Sequence, residues 1–132
     1  MIYKEIVKDI ENVFAGHVGE VTFGDIGEID VTSITEFPLV HIEPLGTEAK
    51  VGHTLFGFNI YILNTKEALE DPIDVLDDMS DIIITFASWY NSSLYSIDTL
   101  PEAKVKYDFS GNRLYGFVLE GASFVAKTIK PC

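Results

Sequence analysis

Cysteine is all but missing from this chain. The only one in 132 residues is Cys132, so no disulfide can form within it. A fold without disulfides fits a reducing compartment and must be held by its core. Base is scarce as well: nine Lys and Arg stand against 21 Asp and Glu, a net charge of −12. Affinity for DNA or RNA depends on cations that neutralise phosphates, so this balance argues against free nucleic acid as a ligand. Long apolar runs are lacking too. The stretch Ile82 to Tyr90 is interrupted by Thr85 and Ser88 and falls well short of the ~20 residues a membrane span requires. The opening Met1-Ile2-Tyr3-Lys4-Glu5-Ile6 scatters charge where an export signal needs an unbroken apolar segment. The expectation is a soluble protein that is not exported, with no membrane partner.

What is present suffices for a core. Apolar residues make up 47% and charged residues 23%, which excludes a disordered polyelectrolyte. A chain of this length buries about two-thirds of its unfolded surface, so residues 1–132 are expected to form a single domain. There is no internal repeat and no low-complexity tract. Charge is unevenly placed. Residues 20–36 hold Glu20, Asp25, Glu28, Asp30 and Glu36 with no Lys or Arg, and residues 67–81 hold seven acids, again with no base. From Lys104 the sign reverses, with Lys104, Lys106, Arg113, Lys127 and Lys130. This asymmetry makes association between copies electrostatically plausible; the plainer reading is a set of solvated faces.

The periodicity sets out seven elements. Ile2, Ile6, Ile10, Val13 and Phe14 recur at helical spacing, and the helix stops at Gly16. Residues 17–36 read as a weak strand around Val21-Thr22-Phe23 followed by an acidic, mobile loop over 24–36. Phe37 to Ile42 predicts a strand that ends at Pro44. Residues 51–63 are apolar at odd and even positions from Leu55 onward, so that strand must be covered on both faces. Asp71 as cap and Pro72 at the first helical position open a second helix, whose apolar face is Val75, Met79, Ile82, Ile83, Phe86 and Tyr90. After the polar break Asn91-Ser92-Ser93, Val105 to Phe109 and Leu114 to Leu119 form a hairpin about Ser110-Gly111-Asn112. The order α-β-β-β-α-β-β predicts an α+β fold, with a mixed or antiparallel sheet and both helices on one face.

No arrangement of residues announces catalysis. Asp77-Asp78-Met79-Ser80-Asp81 has the spacing of a diphosphate–Mg²⁺ motif, but the chain has no second acidic helix to complete such a site. On one helical face, Asp74, Asp77, Asp78 and Asp81 read as solvated acids whose repulsion the helix dipole partly offsets. His17, His41 and His53 do not fall at zinc-ligand spacings, though His41 and His53 are candidates to meet across two strands. No G-x-S-x-G occurs, and Gly24-Asp25-Ile26-Gly27 lacks the third glycine of a dinucleotide loop. The expectation is no enzyme, no metal and no cofactor. Nine Phe, six Tyr and one Trp mostly fill the core. Trp and Tyr are also the residues favoured at protein interfaces, so Phe56, Phe58, Trp89 and Tyr90, with the loop acids Asp25, Glu28 and Asp30, are the candidate interface residues.

In this layout the chain resembles the tail terminator and tail-completion proteins of long-tailed bacteriophages. The likeness spans about residues 1–125. It lies in the opening helix Ile2 to Phe14, the strand Phe56-Gly57-Phe58-Asn59-Ile60-Tyr61-Ile62-Leu63, the acid-opened helix from Asp71 and the closing hairpin. The resemblance implies a homo-oligomeric ring, commonly of six copies, that caps the tail tube and contacts tube and head-connector proteins. It places the protein in the virion tail or neck, and in the host cytoplasm during assembly. DNA passes the lumen of such a ring without tight binding. Two further classes stay open. One is a small cytoplasmic enzyme or ligand-binding domain with a pocket under the second helix lined by Phe56, Phe58, Tyr61 and Phe86. The other is an adaptor that binds a basic partner through the acidic faces.

Overall fold

A computed structural model describes residues 2–25, 37–65, 72–96, 100–109 and 114–127. The chain runs α1 (Ile2–Ala15), β1 (Glu20–Phe23), β2 (Leu39–Lys50), β3 (His53–Thr65), α2 (Pro72–Ser92), β4 (Ala103–Phe109) and β5 (Leu114–Lys127). The strands form one sheet in the order β1-β2-β3-β5-β4. β1 runs parallel to β2, and the other neighbouring strands are antiparallel. This is the α+β fold with a mixed sheet that the periodicity predicts. No described helix is long and apolar enough to cross a membrane.

β3 lies at the centre of the sheet, which explains why it is apolar on both faces. Its even residues Phe56, Phe58, Ile60 and Ile62 meet Ile6, Ile10 and Phe14 of α1 and Met79, Ile82, Phe86 and Tyr90 of α2 in one core. Both helices therefore cover the same face. The two are joined through Phe14 and Phe86, whose rings stack with centroids 4.9 Å apart. Phe124 of β5 sits under α2, with ring contacts to Phe58, Phe86, Trp89, Tyr90 and Tyr95. On the other face the odd residues Tyr61 and Leu63 cluster with Val118, and Phe37 packs against them.

Two expected strand ends are wrong, and for one reason. β2 does not stop at Pro44 but continues to Lys50, and β5 does not stop at Leu119 but continues to Lys127. Pro44 stands at a shift of register, where Leu45 and Gly46 face the single residue Gly57. In β5, Glu120 and Gly121 likewise face Asn59 alone. Residues that read as terminators are bulges, which bend a strand without ending it. Gly121 has a positive φ of 78°, and its N–H donates to Asn59 Oδ1 at 2.9 Å. The bulge also keeps the faces in order, since Leu119 before it and Ala122 and Phe124 after it all enter the helix-side core. At Gly116 the reason for glycine is different. A Cβ there would lie 1.9 Å from the carbonyl oxygen of Ile62, so β5 presses against β3 where no side chain fits.

Of the other expectations, the cap at Asp71, the turn at 110–112, most of the 24–36 loop and Cys132 lie outside the described residues. Pro72 does open α2.

Candidate functional site

The chain leaves α2 in a tight turn that brings aromatic side chains to the start of α1. Ser93 closes the helix, its hydroxyl donating to the Tyr90 carbonyl at 2.7 Å and accepting the Tyr95 N–H at 3.2 Å. The Tyr95 carbonyl then accepts the Val125 N–H at 2.9 Å, which ties the turn to β5. Tyr95 reaches across to α1, where its hydroxyl donates to Asp9 Oδ2 at 2.5 Å. Burial and this bond push the Tyr95 phenol up to about 12, so it stays a neutral donor at ordinary pH.

Between these parts lies an open groove of about 920 Å³, walled by Phe56, Trp89, Leu94 and Tyr95 with Glu5 and Asp9 among its lining residues. That volume is on the scale of small-molecule sites, roughly 300–1,000 Å³. Trp89 stands 6.2 Å from Tyr95, ring centroid to ring centroid. Leu94 is 91% exposed and Ile2 45%, leaving apolar side chains in water at the groove.

The expected pocket beneath α2 is thereby corrected. Phe58 and Phe86 are closed inside the core, and Tyr61 points to the opposite face. Of the four residues expected to line it, Phe56 stands in the groove wall. The candidate interface residues separate in the same way. Phe56 and Trp89 line the groove, whereas Phe58 is fully buried and Tyr90 nearly so. The Tyr90 hydroxyl donates to the Ser123 carbonyl at 2.6 Å, so Phe58 and Tyr90 serve this chain's own core and offer a partner no side-chain surface. Asp25 is exposed just beyond β1, and Glu28 and Asp30 lie outside the described residues. Ile2, Asp9 and Leu94 carry no signal in the sequence for a site, whereas Tyr95 stands with Trp89 and Tyr90 among the aromatics near the end of α2 that the sequence offers as interface anchors.

The opposite face carries a polar group around His41, which is 2% exposed. Nε2 of His41 donates to the Gly24 carbonyl at 2.7 Å, and Nδ1 accepts the Thr22 hydroxyl at 2.6 Å. Burial lowers the His41 pKa, against the opposing pull of the Gly24 carbonyl and the nearby Glu43 and Asp25 charges. Glu43 Oε1 accepts from Asn59 Nδ2 and from the Tyr61 hydroxyl, both at 3.0 Å. Burial first, and then that bond, push the Tyr61 phenol up to about 12. Both imidazole nitrogens are engaged by the protein itself, so His41 stitches β1 to β2 and has no nitrogen left to shuttle a proton. His41 and His53 do not meet: His41 pairs with Tyr61, and His53 pairs with Lys50 at the far end of the hairpin.

Asp77, Asp78 and Asp81 are exposed on α2. Among the described residues no group of three His, Cys, Asp or Glu side chains is placed to hold a metal ion. Comparison with known protein families and with curated proteins finds no match.

Proposed function

We propose that this chain is a structural subunit of a homo-oligomeric ring, of the kind that closes the tail tube of long-tailed bacteriophages and joins it to the head. It acts by geometry and not by catalysis, as part of the virion tail or neck. The observation that carries this reading is the outer edge of β2. β1 covers that edge over Leu39–Ile42. Pro44–Lys50 continues with no strand described on its outer side, every residue exposed. Leu45 is 51% exposed and Val51, at the hairpin tip, fully so. An open strand edge is a template for pairing with another chain, and Leu45 and Val51 add exposed apolar surface beside it. The net charge of −12 suits a lumen through which DNA slides without adhering.

The measurement is molar mass by light scattering across a salt series from about 50 to 500 mM, where the screening length contracts from about 14 Å to about 4 Å. The expected result is a closed oligomer whose share rises with salt as the acids are screened. A monomer at every concentration and ionic strength overturns the reading. A second reading, a ligand-binding domain, is favoured by one observation, the groove beside the C-terminal end of α2.

A further inference from the structure

The groove pairs an apolar, aromatic wall with charge of one sign. Its described lining contains two side chains able to carry charge, Glu5 and Asp9, and both are acids. The Tyr95 hydroxyl anchors one oxygen of Asp9 at 2.5 Å, which fixes that carboxyl group at the groove and does not leave it to swing in solvent. Trp89 and Tyr95 stand side by side next to it. Aromatic rings attract a cation within about 6 Å of the ring centroid, and carboxylates do so at longer range. Leu94, almost wholly in water, and Ile2, a little under half so, gain from any aliphatic body laid over them.

We propose that the groove binds an organic ammonium ion carried on an aliphatic body, with the ammonium group between Glu5, Asp9 and the rings of Trp89 and Tyr95 and the body along Phe56 and Leu94. The inference names the ligand class for the second reading above and rests on that reading. It does not need the ring, since every residue it uses belongs to one chain. A carboxylate of the same length meets two acids where the ammonium meets two counter-charges, so the site discriminates by sign of charge as well as by shape.

Trp89 is the only tryptophan, so its emission reports on this groove alone. The full chain is titrated with n-octylammonium and, separately, with n-octanoate, at about 150 mM salt to suppress long-range attraction. Octylammonium is expected to shift Trp89 emission to shorter wavelength in a saturable way, at least about tenfold more tightly than octanoate. The double variant Glu5→Gln/Asp9→Asn should weaken octylammonium by about five- to tenfold. Asp77→Asn/Asp78→Asn removes the same charge one helix end away from Trp89, ~16–18 Å along the helix and beyond the screening length. It should leave the affinity unchanged.

Equal binding of octanoate and octylammonium overturns the proposal while leaving a ligand-binding groove in place. Equal weakening by the two double variants overturns it in favour of the chain's general negative field. No shift with either probe removes the proposal and the ligand-binding reading together. Emission that shifts with protein concentration alone assigns the groove to a second copy, and also overturns it.

Discussion

Phe56, Phe58, Ile60 and Ile62 sit under two helices, while Tyr61 and Leu63, on the same strand, face the other way into a much smaller cluster. The helix side is a continuous aromatic and aliphatic core gathered about Phe124. The opposite side mixes Leu39, Leu63 and Val118 with His41, Glu43, Asn59 and Tyr61, each polar group held by a named partner. One face is held by area removed from water and the other largely by directed bonds. The first kind of contact loses free energy in proportion to the volume removed, whereas the second fails when one partner changes its protonation.

The largest effect should follow from truncating the centre of the first face. Phe124→Ala is expected to cost about 4 kcal/mol, since a fully buried aromatic leaves a cavity that its neighbours only partly fill. Leu63→Ala on the other face should cost about 2 kcal/mol, at the low end for a buried leucine because its cluster is small and can relax. Urea denaturation of both variants measures the difference, and equal losses would erase the contrast between the faces.

Gly116→Ala tests a position that belongs to neither face. Its Cβ would strike the Ile62 carbonyl oxygen, so β5 must move off β3. A loss of about 3 kcal/mol is expected, in the range where overpacking meets backbone. A neutral result in thermal denaturation would mean that the two strands separate there without penalty.

The smallest effect belongs to pH and to the bonded face. The folded His41 has its pKa lowered by burial, below an unfolded value of about 6.5. Below that value the unfolded chain takes up a proton that the folded chain refuses. Stability from this group is therefore complete above the unfolded pKa and is lost as pH falls through it toward the folded one. Urea midpoints at about pH 7.5 and 5.5 should show this loss. The loss should shrink in His41→Gln, whose amide can still donate to Gly24. An unchanged pH dependence in that variant assigns the effect to carboxyl groups elsewhere.

The element order was legible because both helices and the central strand state their environment in local periodicity. Ile2, Ile6 and Ile10 mark a helix face, and Leu55 to Leu63 marks a strand covered twice, with no knowledge of the rest. The lengths of β2 and β5 were not legible, because Pro44 and Gly121 signal a break without saying whether the ladder resumes beyond it. That depends on the partner strand, where Gly57 and Asn59 accept two residues against one. The groove was hidden for a related reason. Glu5, Phe56, Trp89 and Val125 come from four elements, and what they share is position in space. The Tyr95–Asp9 bond that shapes it spans 86 residues of sequence.

The bulge at Glu120 and Gly121 has a consequence for how β5 can change. It works as a frameshift in a two-letter code of inward and outward. Upstream, Phe117 and Leu119 occupy one phase; downstream, Ala122, Phe124 and Ala126 occupy the other, and one extra residue brings them to the same side. Most substitutions along this strand alter one letter. A deletion of Gly121 would leave Glu120 alone opposite Asn59, a regular ladder in which Ala122 and Phe124 still face the helices. A deletion further along, with the bulge kept, would invert every letter after it. The bulge is therefore a place where β5 can lose a residue and still keep its faces in order. An insertion into the regular part of the strand would invert the letters after it unless it were absorbed as a second bulge.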